Sequence, residues 1–247
     1  MKITNAMVLA AGLGTRMRPI TDSMPKPLVR IAGRPMIDYV FDTLVAAGVE
    51  RAVVNVHHFA DQMEAHLAGF RGLDILVSDE REALMNSGGG LVKGLKRLDR
   101  SPAFVMNADL FWIGEEPGTR TNLQHLADAF DPVRMDMVLL CVPLERTTGH
   151  NGKKDFSLGA DGRLKRYAEG DPAPVVYAGA IALLPELFDD APQDAFNLNI
   201  YFDRAIARGR LYGVEMAGQW LTVGTPEAIG EAEETIRRFG NASGKGA

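Results

Sequence analysis

Residues 8–35 read VLAAGLGTRMRPITDSMPKPLVRIAGRP and bring together the residue types that grip a phosphate group. Ala10, Ala11, Gly12 and Gly14 carry little or no side chain, so backbone N–H groups there can approach an anion without a clash. Arg16, Arg18 and Lys26 follow. A guanidinium offers phosphate oxygens a planar fork, and an ammonium offers a point charge. The stretch is not a dinucleotide loop, because Met17 stands where a third glycine is wanted and Pro19, Pro25 and Pro27 forbid a long helix. Nor is it a P-loop, since no Gly-Lys-Ser/Thr follows. The prolines are expected to hold a stiff, extended loop that presents its cations, with Lys26 fixed between two of them. Such a loop suits a triphosphate.

Three further groups could do chemistry. Asp109 ends the run AFVMNAD, and a carboxylate at a strand's carboxyl end can anchor Mg²⁺ when phosphate oxygens complete the shell. By itself such an Asp is also a common turn or cap residue. Ser87-Gly88-Gly89-Gly90 opens a helix whose N-terminus favours anions. It reads either as a flexible turn or as backbone brought close to a nucleobase, with Asn86 or Glu82 helping to read the base. His57 and His58 end a strand without a partner motif, so surface or core roles are expected for them. Cys141 lies in MDMVLLCVPL and reads as a buried structural thiol.

The elements that must position these groups alternate. AMVLA (6–10), RAVVNVH (51–57), DILVS (74–78), AFVMNAD (103–109) and MDMVLLCV read as strands. Between them lie a helix opened by Pro35 and ended by Gly48, ADQMEAHL, GGLVKGLKRL and a helix near 122–130. That rhythm means βαβ units and a mostly parallel, doubly wound sheet, whose ligands gather at the carboxyl ends of the strands. After residue 150 the rhythm changes. DFSL, GADG and RLKRY form a hairpin pattern, PVVYAGAIAL a strand, DAFNLNIYFDRAIARG a helix, and LYGVEM and WLTVG two strands. These later hairpins suggest a small lobe inserted on one sheet. Thr225-Pro226-Glu227 starts a last helix, and residues 241–247 are expected to fray.

The chain has 247 residues and a net charge of −5, which argues against a nucleic-acid partner. Charge is unevenly placed: residues 1–35 hold six cations and one anion, +5, leaving −10 for the remainder. A cationic patch on an acidic protein fits a small polyanion. The single cysteine precludes a disulfide within the chain. There is neither a signal segment nor a membrane-length apolar run, so a cytoplasmic protein is expected.

The opening stretch, with PKPL and GRPMIDY and the later SGGG, NAD, YAGA and W-x-x-VGTP in order, resembles the sugar-1-phosphate nucleotidylyltransferases from end to end. Within that family the short chain and SGGG are similar to the bacterial N-acetylmuramate-1-phosphate uridylyltransferases of peptidoglycan recycling. Mannose-1-phosphate guanylyltransferases, cytidylyltransferases sharing AAG-x-G-x-R, and a catalytically weak nucleotide-binding module remain alternatives. The resemblance implies a Rossmann-like three-layer α/β nucleotidyltransferase fold in one domain, 1–240. Its nucleotide part would cover about 1–130 and its sugar part about 131–225. It implies that a sugar 1-phosphate oxygen attacks the α-phosphorus of an NTP, UTP or GTP, and that pyrophosphate leaves.

Carried over position by position, Gly12, Gly14 and Thr15 would cradle the phosphates, with Ala10 and Ala11 near base and ribose and Ser87 and Gly88 also on the nucleotide. Arg16 would neutralise the pyrophosphate, Lys26 would hold the α-phosphate and the sugar phosphate, and Asp109 would hold Mg²⁺. Glu169, Tyr177, Gly179, Asn107 and Asn197 (or Asn199) would meet the sugar, and Lys154 its phosphate. One departure stands out: where the family commonly has a second metal-binding aspartate in W-x-D-V-G-T, this chain has Thr222, a neutral ligand expected to act only through water. The assembly is expected to be a monomer or homodimer.

Overall fold

The computed structural model describes residues 1–243. Within them, fourteen strands and six α-helices follow one another as β1 (Asn5–Leu9), β2 (Arg30–Ile31), β3 (Arg34–Pro35), α1 (Met36–Ala47), β4 (Arg51–Val56), α2 (Ala60–Gly69), β5 (Asp74–Asp79), α3 (Asn86–Leu95), β6 (Ala103–Asn107), β7 (Leu110–Ile113), α4 (Asn122–Ala129) and β8 (Met137–Val142). The later part holds β9 (Thr147–Thr148), β10 (Phe156–Leu158), β11 (Leu164–Arg166), β12 (Pro174–Leu183), α5 (Asn199–Ala207), β13 (Leu211–Glu215), β14 (Gln219–Thr222) and α6 (Glu227–Ser243).

A nine-stranded sheet in the order β11-β10-β12-β6-β1-β4-β5, with β8 paired to β12 and β13 paired to β8, forms the centre. Its β6-β1-β4-β5 half is parallel, while β12 runs antiparallel to β6, β8 and β10. The parallel strands are covered on both faces, which explains their unbroken apolar runs. On one face Phe41, Phe104 and Leu126 belong to one core; on the other Met7, Val105 and Phe202 belong to a second. Helix α1 buries Met36, Ile37, Val40, Phe41 and Leu44 at helical spacing and ends where Gly48 turns left-handed at φ 86°. Helix α4 starts on a capping box of Thr121 and Gln124. None of the described helices is long and apolar enough to cross a membrane.

Three expectations need correction. The loop after β1 is not extended: Thr15–Met17, Ile20–Asp22 and Lys26–Leu28 are three 3₁₀ turns. Proline's fixed φ suits a tight turn as well as an extended segment, and Met17, at the third-glycine position, is a buried plug of a third core with Ile31, Met36, Phe111 and Leu221. The strand read at 103–109 stops at Asn107, and a tight turn holding Asp109 leads directly into β7. The late helix begins only at Asn199, because 194–198 lies against α3, where the Phe196 carbonyl accepts from the Gly88 and Gly89 N–H groups at 2.8 and 3.3 Å. The β10–β11 hairpin adds to the main sheet through β12. The separate three-stranded sheet is β7-β14-β9, packed near the end of β6. Of the tail expected to fray, 241–243 continue the backbone of α6 and 244–247 lie outside the described residues.

Candidate active site

The carboxyl ends of β1, β4 and β6 open into one cleft of about 530 Å³, within the usual range for small-molecule sites. The backbone of Ala10, Ala11 and Gly12 forms one wall, and Lys26, Asn107 and Asp109 face it from another. Gly14 is left-handed at φ 63°, and a Cβ there would stand 3.0 Å from both Lys26 Cβ and Thr21 Cγ2. Glycine is therefore required twice over, by backbone conformation and by packing. Thr21 donates its hydroxyl to the Gly14 carbonyl at 2.8 Å and closes the loop on itself.

Lys26 is the cation this loop delivers inward. Its side chain is 10% exposed, and Nζ donates to Asp109 Oδ2 at 2.6 Å, while Asp109 stays 37% exposed. A buried ammonium needs such a partner, and the pair places opposite charges at the mouth of the phosphate loop. Arg16 differs: it is exposed, has no ion-pair partner among the described residues, and lies against Gly224, where a Cβ would be 3.5 Å from its Nη1. Gly224 belongs to the VGTP segment, so the two ends of the chain meet at this guanidinium.

The glycine run of α3 has a role the sequence did not reveal. A Cβ at Gly88 would strike the Phe196 ring, and one at Gly90 would come 2.7 Å from both Asn55 Nδ2 and Glu80 Oε1. The N–H groups of Gly88 and Gly89 are both taken by Phe196. The glycines serve close packing of α3 against the Phe196 segment and against Asn55 and Glu80. Ser87 and Asn86 do line the cleft, and Ser87 Oγ accepts from the Leu198 N–H at 3.0 Å. Asn55, Leu84 and Ala195 line it too, without a motif that singled them out. His57 Nδ1 lies 2.7 Å from the Glu80 carbonyl oxygen and His58 Nε2 3.2 Å from the Thr21 carbonyl oxygen, so both serve local structure.

The sequence-derived sugar residues stand elsewhere, apart from Asn107 in the cleft. Lys154 is half-buried; its Nζ donates to the Tyr167 hydroxyl at 3.1 Å and sits 4.7 Å from that ring's centre. That hydrogen bond, with Glu169 nearby, raises its pKa. Glu169 and Asn197 are exposed. The Tyr177 N–H donates to Asp155 Oδ2 at 3.0 Å, and its hydroxyl is buried without a hydrogen-bond partner among the described residues. Burial foremost, then Cys141, Asp109 and Asp155, pushes its pKa up. Gly179 is left-handed at φ 78° at a shift in the β12–β8 register, and a Cβ there would strike Leu110, so its place in the structure is that of a bulge. Thr222 pairs with Leu110 across the β14–β7 ladder, and the next residue, Val223, donates its N–H to the Asp109 carbonyl at 3.4 Å. Position 222 is thus beside the Asp109 turn. Thr15 is exposed further along the loop, and Cys141 is fully buried.

Among the described residues no group of three or more His, Cys, Asp or Glu side chains is placed to hold a metal ion. The cleft itself offers one partly exposed carboxylate, Asp109, beside a phosphate-sized loop. That donor set does not form a protein cage, yet it fits Mg²⁺, which takes one or two carboxylates and draws its other ligands from phosphates and water.

A family model described as MobA-like NTP transferase domain matches residues 6–187. The chain is 45% identical to an N-acetylmuramate alpha-1-phosphate uridylyltransferase of Caulobacter vibrioides, over 94% of this chain and 96% of that protein. It is 30% identical to the protein of the same name from Neisseria meningitidis, over 92% and 96%. A UDP-glucose pyrophosphorylase solved with UDP-glucose superposes with a TM-score of 0.75 at 18% identity, over 96% of this chain and 99% of that one.

Proposed function

The chain belongs to the MobA-like NTP transferase family, and on that premise we propose that it transfers a nucleoside monophosphate from an NTP to a sugar 1-phosphate. The preferred pair is UTP with N-acetylmuramate 1-phosphate, giving a UDP-sugar and pyrophosphate. The observation that carries this reading is the Lys26–Asp109 pair set at 2.6 Å into the cleft of the phosphate loop, in a chain 45% identical to a uridylyltransferase of that name.

The chain's own groups suffice for a positioning and charge-stabilising mechanism, the kind phosphoryl transfer calls for. A sugar phosphate oxygen forms a bond to the α-phosphorus as the bond to the β-phosphate oxygen breaks. Lys26, held in place by Asp109, meets the α-phosphate and the incoming phosphate. Arg16, exposed and without an ion-pair partner among the described residues, would bind the departing pyrophosphate. Backbone N–H groups of the Ala11–Gly14 segment hold the β- and γ-phosphates. Mg²⁺, held by Asp109 and through water near Thr222, would neutralise charge on the phosphates. Glu169, Asn197 and Tyr177 would meet the sugar, and Lys154 its phosphate. A cytoplasmic place in peptidoglycan recycling is part of this reading, and a lone buried thiol is compatible with a reducing compartment.

The test is a product screen of the four NTPs against N-acetylmuramate 1-phosphate and mannose 1-phosphate, with Mg²⁺, read as pyrophosphate release. UTP with the muramate is expected to lead. GTP with mannose 1-phosphate leading would replace the substrates, and no release from any pair would overturn the reaction.

A further inference from the structure

Glu80 is a buried carboxyl group, 1% exposed, that the mechanism above does not use. It has no ion-pair partner among the described residues, and both its oxygens accept from neutral donors. Asn55 Nδ2 donates to Oε1 at 2.7 Å, and the Met85 N–H donates to Oε2 at 3.0 Å. Asn55, 3% exposed, accepts in turn from the Ala10 N–H through Oδ1 at 2.6 Å. The chain of contacts runs from the first residue of the phosphate loop, through β4, to the segment that carries Leu84, Asn86 and Ser87 on the opposite wall of the cleft. Gly90 leaves the room for it, since a Cβ there would meet Asn55 and Glu80 at 2.7 Å.

A buried carboxylate without a cation is costly, and an apolar residue of similar size would fill the space more cheaply. What only a carboxylate supplies is two acceptors and no donor. Glu80 therefore dictates the orientation of the Asn55 amide: the NH₂ must face Glu80, so the oxygen must face Ala10. The same group fixes Met85. We propose that Asn55 and Glu80 are positioning residues for nucleotide binding, a buried bridge that sets the separation of the phosphate-loop wall and the base-side wall. The inference rests on the proposed nucleotidyl transfer and deepens it. The Ala10 N–H is committed to the bridge, which leaves the N–H groups from Ala11 onward for phosphate.

Hydrogen-bond logic supplies the test. In Glu80→Gln the side chain has one acceptor for two donors, so one buried N–H is stranded whichever way the amides turn. In Asn55→Asp two carboxylates face each other in the core. In the double variant Asn55→Asp/Glu80→Gln every bond can re-form. The carboxylate introduced at position 55 accepts from the Ala10 N–H and from the amide NH₂ introduced at position 80, and that amide's oxygen accepts from the Met85 N–H. UTP affinity in the presence of Mg²⁺ is measured by calorimetry on the folded proteins, with KM for the sugar phosphate taken at saturating UTP. Each single variant is expected to weaken UTP by about tenfold or more with little change in the sugar-phosphate KM, and the double variant to recover to within about threefold. Folded single variants that bind UTP like wild type would overturn the inference, leaving a purely structural pair. So would a double variant no better than either single one. If neither single variant folds, a folded double variant with near wild-type UTP affinity supports the bridge, and one that does not fold overturns it. Failure of the wild type to bind any NTP would instead overturn the functional reading, and the bridge with it.

Discussion

The residues proposed for the nucleotide and those proposed for the sugar are set in different material. On the nucleotide side the chain presents backbone and buried groups: Gly14 wedged against Thr21 and Lys26, Lys26 locked to Asp109, and the strand ends of a parallel sheet covered on both faces. Of the residues proposed for the sugar, Glu169 is exposed and Lys154 half-buried, both next to the β10–β11 hairpin, while the exposed Asn197 precedes α5. The contrast matches the tasks. Phosphate geometry is the same for every NTP and rewards rigidity, whereas sugars differ in their hydroxyls and are met by side chains that can be exchanged without unfolding a core. Changes on the first side should therefore strike turnover, and changes on the second should strike the sugar's KM.

The largest effect is expected from Asp109→Asn, which removes the carboxylate that holds Lys26. Pyrophosphate release should fall by about 10²–10³-fold or more, and the unfolding transition should move lower because the buried Lys26 ammonium loses its ionic partner; full activity would remove Asp109 from the site. Arg16→Ala should come next, at about 10²-fold in kcat. Because Arg16 is exposed and has no ion-pair partner among the described residues, stability should hardly change, and a loss of stability in place of turnover would make it a packing residue against Gly224. Glu169→Gln, at a residue proposed for the sugar, should raise the KM for the sugar phosphate by about tenfold and leave the NTP's unchanged; a shift in NTP affinity would blur the division. Thr222→Asp should give the smallest change, lowering severalfold the Mg²⁺ concentration that supports half-maximal turnover. An unaltered Mg²⁺ dependence would mean that position 222 does not face the metal.

The order in which these features could be read from the sequence follows their physical range. The phosphate loop is local: small residues, cations and prolines within 28 positions, so its chemistry was visible, although not the 3₁₀ turns that proline equally allows. The strand–helix alternation announced the parallel half of the sheet. Strand β7 went unseen because LFWI follows AFVMNAD through a turn with no glycine or proline. The packing role of Gly88 depends on Phe196, far along the chain, and the Asn55–Glu80 bridge joins four segments through polar residues inside strands or at their ends, where periodicity assigns them no task. The sugar-side residues came from family resemblance alone, since an exposed Glu or Asn in a loop carries no signal of its own.

The most direct test of the division is one steady-state series: kcat and both KM values for wild type, Asp109→Asn and Glu169→Gln with UTP, N-acetylmuramate 1-phosphate and Mg²⁺, followed by pyrophosphate release. The predicted result is loss of turnover in Asp109→Asn, and a higher sugar-phosphate KM with unchanged UTP KM in Glu169→Gln. Equal effects on both substrates from Glu169→Gln, or undiminished release from Asp109→Asn, would contradict it.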